Sequence, residues 1–320
     1  MTKYLLAWLL ATALPFSVAH SQTAPQALSA ALDELLTPEI GGIKQVVQIK
    51  TDDTNKPVLL FLSGGPGSSM MNGAERFTGI LKNTFTLVQW DQRDAGKTMK
   101  LNRSPAPPSV AQMENDTYDV IGFVLKKLGH KKLYLLGSSW GNVLGFSIVK
   151  NHPELLHAYF ASNPVVSQLA SETALLATLK THFKDNADAS TELASVHIPF
   201  QNDQDLFYLR KWLFYMEGKQ SVTSNEFKTG FLQWSKTWSP VWNEVMATDL
   251  PATLKTVDCP IYFFAGQHDI QTSTAITAHY YAMLKAPKKE LIVFQQSGHQ
   301  IHQDEPEAFQ NAIIKAAAPD

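Results

Sequence analysis

The tightest constraint on this 320-residue chain is a five-residue turn, Gly137-Ser138-Ser139-Trp140-Gly141. It stands between the apolar run Leu133-Tyr134-Leu135-Leu136 and a segment in which Val143, Phe146 and Val149 recur at helical spacing. A strand that passes directly into a helix belongs to a β-α-β arrangement, in which parallel strands are covered by crossover helices. The flanking sequence repeats that rhythm. Candidate strands are 46–50, 58–62, 85–90, 133–136 and 157–161, and Ile121, Val124, Leu125 and Leu128 mark a helix ending before Gly129. The strands are continuously apolar, so the sheet should be covered on both faces. The fold class expected is α/β, with a mostly parallel central sheet.

From about Val165 to Asp249 the rhythm changes. Leu175, Leu176, Leu179 and Phe183 mark an amphipathic helix. Of seven tryptophans, one of them Trp8, this stretch holds Trp212, Trp234, Trp238 and Trp242. The β-α rhythm then returns with a strand at 261–264, a helix near 275–284, a strand at 291–294 and a closing helix through Phe309 and Ile313. Residues 22–164 and 250–320 are therefore expected to form one core, and 165–249 a helical lid inserted into it.

The formal charge is −2 and no run of five like charges occurs. This favours a small-molecule partner over nucleic acid or an anionic membrane. Residues 1–21 have the pattern of a secretory signal: Lys3, the apolar stretch Leu5 to Phe16, and Ala19-His20-Ser21 as cleavage site. The expectation is an exported protein, periplasmic or secreted, without stable membrane insertion once the signal is removed. Cys259 is the single cysteine, so no internal disulfide forms, and its apolar setting before Pro260 to Phe264 predicts a buried structural residue.

Serine is a weak nucleophile unless a histidine takes its proton and a carboxylate orients that histidine. The G-x-S-x-G turn presents Ser139 between strand and helix, with Ser138 filling the variable position before it. Asp269 follows the strand 261–264 in Gly266-Gln267-His268-Asp269, and His299 follows the next strand in Ser297-Gly298-His299-Gln300. The order Ser139, Asp269, His299 suits a nucleophile, acid and base carried on successive loops. Asp249 and Asp258 precede the strand and fit less well. His302, with Asp304 and Glu305, resembles a metal-ligand cluster but lacks an H-E-x-x-H helix, so no metal or other cofactor is expected. An oxyanion hole is expected from the backbone N–H groups of Trp140 and Gly65, the latter in the glycine-rich stretch Ser63-Gly64-Gly65-Pro66-Gly67. A phosphate-binding reading of that stretch fails because no G-x-G-x-x-G is present and Asp91 stands where a Walker pattern ending in Gly96-Lys97-Thr98 needs glycine.

Gly64-Gly65-Pro66-Gly67, the run Trp90-Asp91-Gln92-Arg93-Asp94-Ala95-Gly96-Lys97-Thr98 and the serine turn together resemble the proline iminopeptidase family of α/β-hydrolases. The resemblance runs from about Val58 to the C-terminus. It implies the α/β-hydrolase fold and release of N-terminal residues, typically proline, from short peptides through an acyl-enzyme, without metal or cofactor. Asp91, Gln92 and Arg93 match the family's D-Q-R motif and are expected to be structural, Arg93 pairing a carboxylate near the site. Ser63, Asp94 and Ser138 depart from the family's histidine, glycine and glycine.

The family's lid glutamates bind the substrate's free ammonium. Here Trp212-Leu213-Phe214-Tyr215-Met216-Glu217-Gly218 is similar to one such stretch, which makes Glu217 the candidate anchor, and Glu244 is a second candidate by position alone. Met216 replaces a tryptophan, and the second lid motif is not visible. The lid aromatics fit a proline, an acyl chain or their own core equally well. Three functions follow: an aminopeptidase on short peptides, a carboxylesterase or amidase on small acyl substrates, and a non-catalytic binding protein on a hydrolase scaffold.

Overall fold

The computed structural model describes residues 30–318. The signal-like segment 1–21 lies outside them. The chain builds an eight-stranded sheet from β1 (Leu32–Leu36), β4 (Val46–Thr51), β5 (Val58–Leu62), β6 (Thr86–Asp91), β7 (Leu133–Ser138), β8 (Leu156–Ser162), β9 (Ile261–Gly266) and β10 (Lys289–Phe294); a short hairpin, β2 (Glu39–Ile40) and β3 (Ile43–Lys44), lies apart. The order is β1-β4-β6-β5-β7-β8-β9-β10. β4 runs antiparallel to both β1 and β6, and the other pairs are parallel. Every residue of β5, β6 and β9 is buried, as a sheet covered on both faces requires.

Alternate side chains of each strand feed two cores. Leu60, Val88, Leu135, Tyr159 and Phe263 face one with helices Val110–Leu128 and Gly141–Asn151. Leu59, Phe61, Leu136, Phe160 and Phe264 face the other with helix Pro306–Ala317. Helix Val110–Leu128 starts where Ser109 accepts a hydrogen bond from Gln112 N–H and stops at Gly129, whose φ of 72° suits a residue without Cβ. Cys259 is buried, and that burial pushes its thiol up to about 11, so it is protonated at neutral pH.

Between β8 and β9 lie four longer helices, Gln168–His182, Ala187–Ala194, Asp203–Met216 and Asn225–Val245. Leu175, Leu179, Leu193, Leu209, Trp212 and Leu213 form a small core of their own. The Glu172 carboxylate, fully buried, takes the Arg210 guanidinium, and that guanidinium lies 5.3 Å from the ring centre of Trp242. The tryptophans therefore serve mainly in packing. Trp238 joins the first of the two sheet cores, and the indole N–H of Trp234 donates to Pro66 O at 3.0 Å.

Candidate active site

Parallel strands point their C-terminal ends to the same edge, and register brings the chemistry-bearing loops together there. Gly137 of β7 pairs with Leu62 of β5 and Ala161 of β8, while Gly266 of β9 pairs with Phe294 of β10. Ser139 follows β7 with φ of 51°, a left-handed backbone rare outside glycine that lifts the hydroxyl out of the turn. The turn is too tight for a side chain at Gly141, where a Cβ would lie 2.2 Å from Leu62 O. Asn142 braces it, donating to Ser139 O at 3.1 Å and Ser162 O at 2.9 Å.

Ser139, His299 and Asp269, drawn from loops 160 and 30 residues apart, form one chain of hydrogen bonds. His299 Nε2 is 2.8 Å from Ser139 Oγ, and His299 Nδ1 is 2.8 Å from Asp269 Oδ2. Burial pushes the Asp269 pKa up, but the positive charge of His299 and hydrogen bonds from His299 and Thr272 outweigh it, leaving the carboxyl below its usual value. An ionised carboxylate only accepts, so His299 carries its proton on Nδ1 and offers a lone pair at Nε2 to the Ser139 hydroxyl. Asp269 also accepts from Thr272 Oγ1 at 2.7 Å and from the N–H groups of Gln271 at 2.8 Å and Thr272 at 3.1 Å. The arrangement can move a proton from Ser139 to His299 and hold the resulting imidazolium against a fixed anion.

Ser139 and His299 open into a cleft of about 830 Å³, with Gly64, Gly65, Ser138, Phe214, Lys219 and Arg76 among its walls. Gly65, with φ of 121°, lies in the loop after β5, and Trp140 leads into helix Gly141–Asn151, so its N–H belongs to the unpaired group at a helix start. Gln92, buried, ties these two parts together: its Nε2 donates to Ser63 O at 3.0 Å, and its Oε1 accepts from Trp140 Nε1 at 3.1 Å. Replacing Gln92 with leucine strands a buried carbonyl and a buried indole N–H. Urea denaturation is expected to show a loss of roughly 2–6 kcal/mol, about one to three for each stranded group.

Residues 57–306 match the alpha/beta hydrolase fold family. The chain belongs to that family. A probable aminopeptidase of Bacillus subtilis (strain 168), YbaC, is 27% identical over 301 residues, spanning 87% of this chain and 94% of its own. A proline iminopeptidase of Heyndrickxia coagulans is 24% identical over 266 residues, covering 79% and 87%. Among solved structures, a proline iminopeptidase-related protein from Thermus thermophilus superposes with a TM-score of 0.61 at 19% identity, covering 89% of this chain and 97% of that one. The relatives named proline iminopeptidase are among the proteins this chain is similar to, in keeping with the motif resemblance.

Other expected residues fall elsewhere. Arg93 makes a buried two-point pair with Asp116 of helix Val110–Leu128, at 2.8 and 3.0 Å, and donates to Gly41 O. Neither member of the pair lines the cleft: the motif arginine anchors the β2–β3 hairpin to the core. Glu244 is also remote, because its carboxylate accepts from the N–H of Val110 at 3.0 Å at the start of that same helix. Glu217, at the end of helix Asp203–Met216, turns its carboxylate to Lys219 Nζ at 3.1 Å and is not among the cleft residues, though Phe214 and Lys219 are. His302 lines the cleft with its ring edge-on to Phe77; burial and the nearby charge of His299 drive it down to about 4, so it is neutral at neutral pH. Asp304 and Glu305 accept instead from Gly298 N–H at 3.0 Å and Ser297 Oγ at 2.6 Å.

Thr272 escapes the sequence reading, although an aspartate followed three residues later by threonine is a side-chain-capped turn that composition can signal. Asn163 escapes it too, and no local pattern marks it.

Proposed function

We propose that the protein is an exported serine hydrolase that works through an acyl-enzyme, acting as an aminopeptidase that releases N-terminal proline or a similar residue from short peptides. The observation that carries this reading is the pair of 2.8 Å contacts joining Ser139, His299 and Asp269 at a cleft large enough for a small peptide. Ser139 Oγ attacks the acyl carbonyl while His299 Nε2 takes its proton. The N–H groups of Gly65 and Trp140 stabilise the tetrahedral oxyanion. His299 then returns the proton to the leaving amine as the C–N bond breaks; a water molecule, deprotonated by His299, attacks the acyl carbon, and His299 gives that proton to Ser139 Oγ as the ester C–O bond breaks. Asp269 stays ionised throughout. Export is supported by the pattern of residues 1–21, and the choice of substrate by the names of the relatives above.

An aminopeptidase holds a free ammonium, which calls for a carboxylate in a partly dry site. Glu217 stands just outside the cleft, but its partner Lys219 lines it, and in this reading the carboxylate turns from Lys219 to the substrate's ammonium. Glu217→Gln is then expected to raise KM for a free prolyl-arylamide about fivefold, the upper worth of an exposed ion pair, and to leave cleavage of an N-blocked ester unchanged. Comparing free-amine and N-blocked substrates on both proteins measures this. Equal use of the two substrates by the wild type sinks the aminopeptidase assignment.

One observation favours carboxylesterase or amidase activity as a second reading. Among the described residues lining the cleft, the single carboxylate is Glu75, and Lys50 lies 3.3 Å from it. Preference for an N-acylated or ester substrate in the same comparison is the outcome this reading expects.

A further inference from the structure

The loops that carry Asp269 and His299 leave neighbouring strands, and the sheet fixes them only as far as the pairing of Gly266 with Phe294. Beyond it, two backbone hydrogen bonds join them directly, Gln267 N–H to Phe294 O at 2.8 Å and His268 N–H to Ser297 O at 3.0 Å. A third connection comes from a strand to one side. The residue following β8 is Asn163, 2% exposed, and every polar group it has is engaged with these two loops or with β9, the strand that leads into the first of them.

Its N–H donates to Phe264 O at 2.8 Å. Its side-chain Oδ1 accepts from Gly266 N–H at 2.9 Å, where the Asp269 loop begins. Its Nδ2 donates to Gly298 O at 3.2 Å and to His299 O at 2.8 Å, the backbone of the histidine itself. Its own carbonyl lies 3.2 Å from the Thr272 hydroxyl, whose shorter contact, 2.7 Å, goes to Asp269 Oδ2. The preceding residue completes the set, since Ser162 O accepts from Ser139 N–H at 3.0 Å. The end of β8 thus touches the loops bearing all three residues of the hydrogen-bonded chain.

The geometry points to Asn163 as a positioning residue for the reaction: its amide sets the separation and angle of His299 relative to Asp269 without touching substrate. Asparagine suits the place for two reasons. It carries a donor and an acceptor on one planar group, and it tolerates the left-handed backbone found here, φ of 42°, better than most side chains. Aspartate has no donor for the two carbonyls, and glycine would keep the backbone but lose the clamp. Proton transfer between Ser139 and His299 depends on alignment to within a fraction of an ångström, so loosening one loop against the other slows chemistry rather than binding.

The inference rests on the proposed hydrolase function, and the test separates the two. Ser139→Ala, Asn163→Gly and Asn163→Asp are assayed on one activated acyl ester and by the rate of covalent labelling with a fluorophosphonate. Each value is divided by the folded fraction read from near-ultraviolet circular dichroism. Full turnover in Ser139→Ala would remove the hydrolase reading itself. With that variant inactive, Asn163→Gly is expected to lose roughly 10- to 100-fold in kcat with KM within twofold, and to label more slowly by a similar factor. Asn163→Asp, which sets an anion against two carbonyls, should lose at least as much. A kcat within twofold of wild type in Asn163→Gly, or a deficit accounted for by the folded fraction, overturns the assignment. So does a change confined to KM.

Discussion

Replacing Ser139 with alanine is expected to lower kcat by roughly 10⁶-fold, the loss seen when the nucleophile of such a chain is removed. The change deletes one oxygen, which lies 2.8 Å from His299 Nε2. The fold should tolerate it. The turn is held by Asn142, by Ser139 N–H on Ser162 O and by close packing at Gly141, none of which uses the hydroxyl. Alanine meets the left-handed backbone at 51° with about the same strain as serine. The melting temperature should therefore stay within a few degrees of wild type while turnover and fluorophosphonate labelling vanish together. Ser138→Ala is the control. Ser138 belongs to β7, paired with Ser162, and its replacement should leave most of the activity. Loss of activity in Ser138→Ala with retention in Ser139→Ala would reverse the assignment of the nucleophile.

The legible parts of this chain are those in which neighbours in sequence are neighbours in chemistry. A strand, a turn and a helix announce Ser139 because the constraint is local. Asp269 and His299 are recoverable because a parallel sheet sends the loop after each strand to the same edge. The strands expected from sequence lie within two residues of the observed ends, as continuous apolar runs permit. The two-residue strands β2 and β3 and the edge strand β1 are the exceptions: Leu32–Leu36 reads Leu-Asp-Glu-Leu-Leu, short, acidic and without the alternation that would separate it from a loop. Gln92 is visible as part of a motif, but its partners Ser63 O and Trp140 Nε1 lie 29 and 48 residues away, so its task of tying the two proposed oxyanion loops has no local sign.

The glutamates show the limit from the other side. Spacing from Trp212 places Glu217 near the end of a helix but does not say which way its carboxylate turns, and the structure turns it to Lys219. Glu244 sits on the last turn of helix Asn225–Val245, where the partner that decides its orientation is the free N–H at the start of another helix, 134 residues earlier. Charge on a helix surface is settled by whichever opposite partner lies closest after folding. Buried polar residues on the sheet edge are settled by the accounting of backbone groups, which is why Asn163 is visible only in three dimensions.

Asp269→Asn is the second large effect expected, a fall in kcat of roughly 10³- to 10⁴-fold with the fold retained. The loss arises from the tautomer. In the wild type the carboxylate accepts at both oxygens, from His299 Nδ1, Thr272 Oγ1 and two N–H groups. Asparagine can keep one oxygen in such a place, and its NH₂ must then face a former donor. With its oxygen on the N–H groups of Gln271 and Thr272, the NH₂ faces His299, which must present a lone pair at Nδ1 and carry its proton on Nε2. That proton points at Ser139 Oγ and leaves no base for it. Raising the pH should restore part of the rate, because hydroxide can remove the serine proton once His299 cannot, whereas the wild-type rate should level off. Rate-pH profiles of the two proteins on one ester measure this. An Asp269→Asn profile parallel to wild type, or a loss below tenfold, would mean that Asp269 serves only to hold its loop through Gln271 and Thr272.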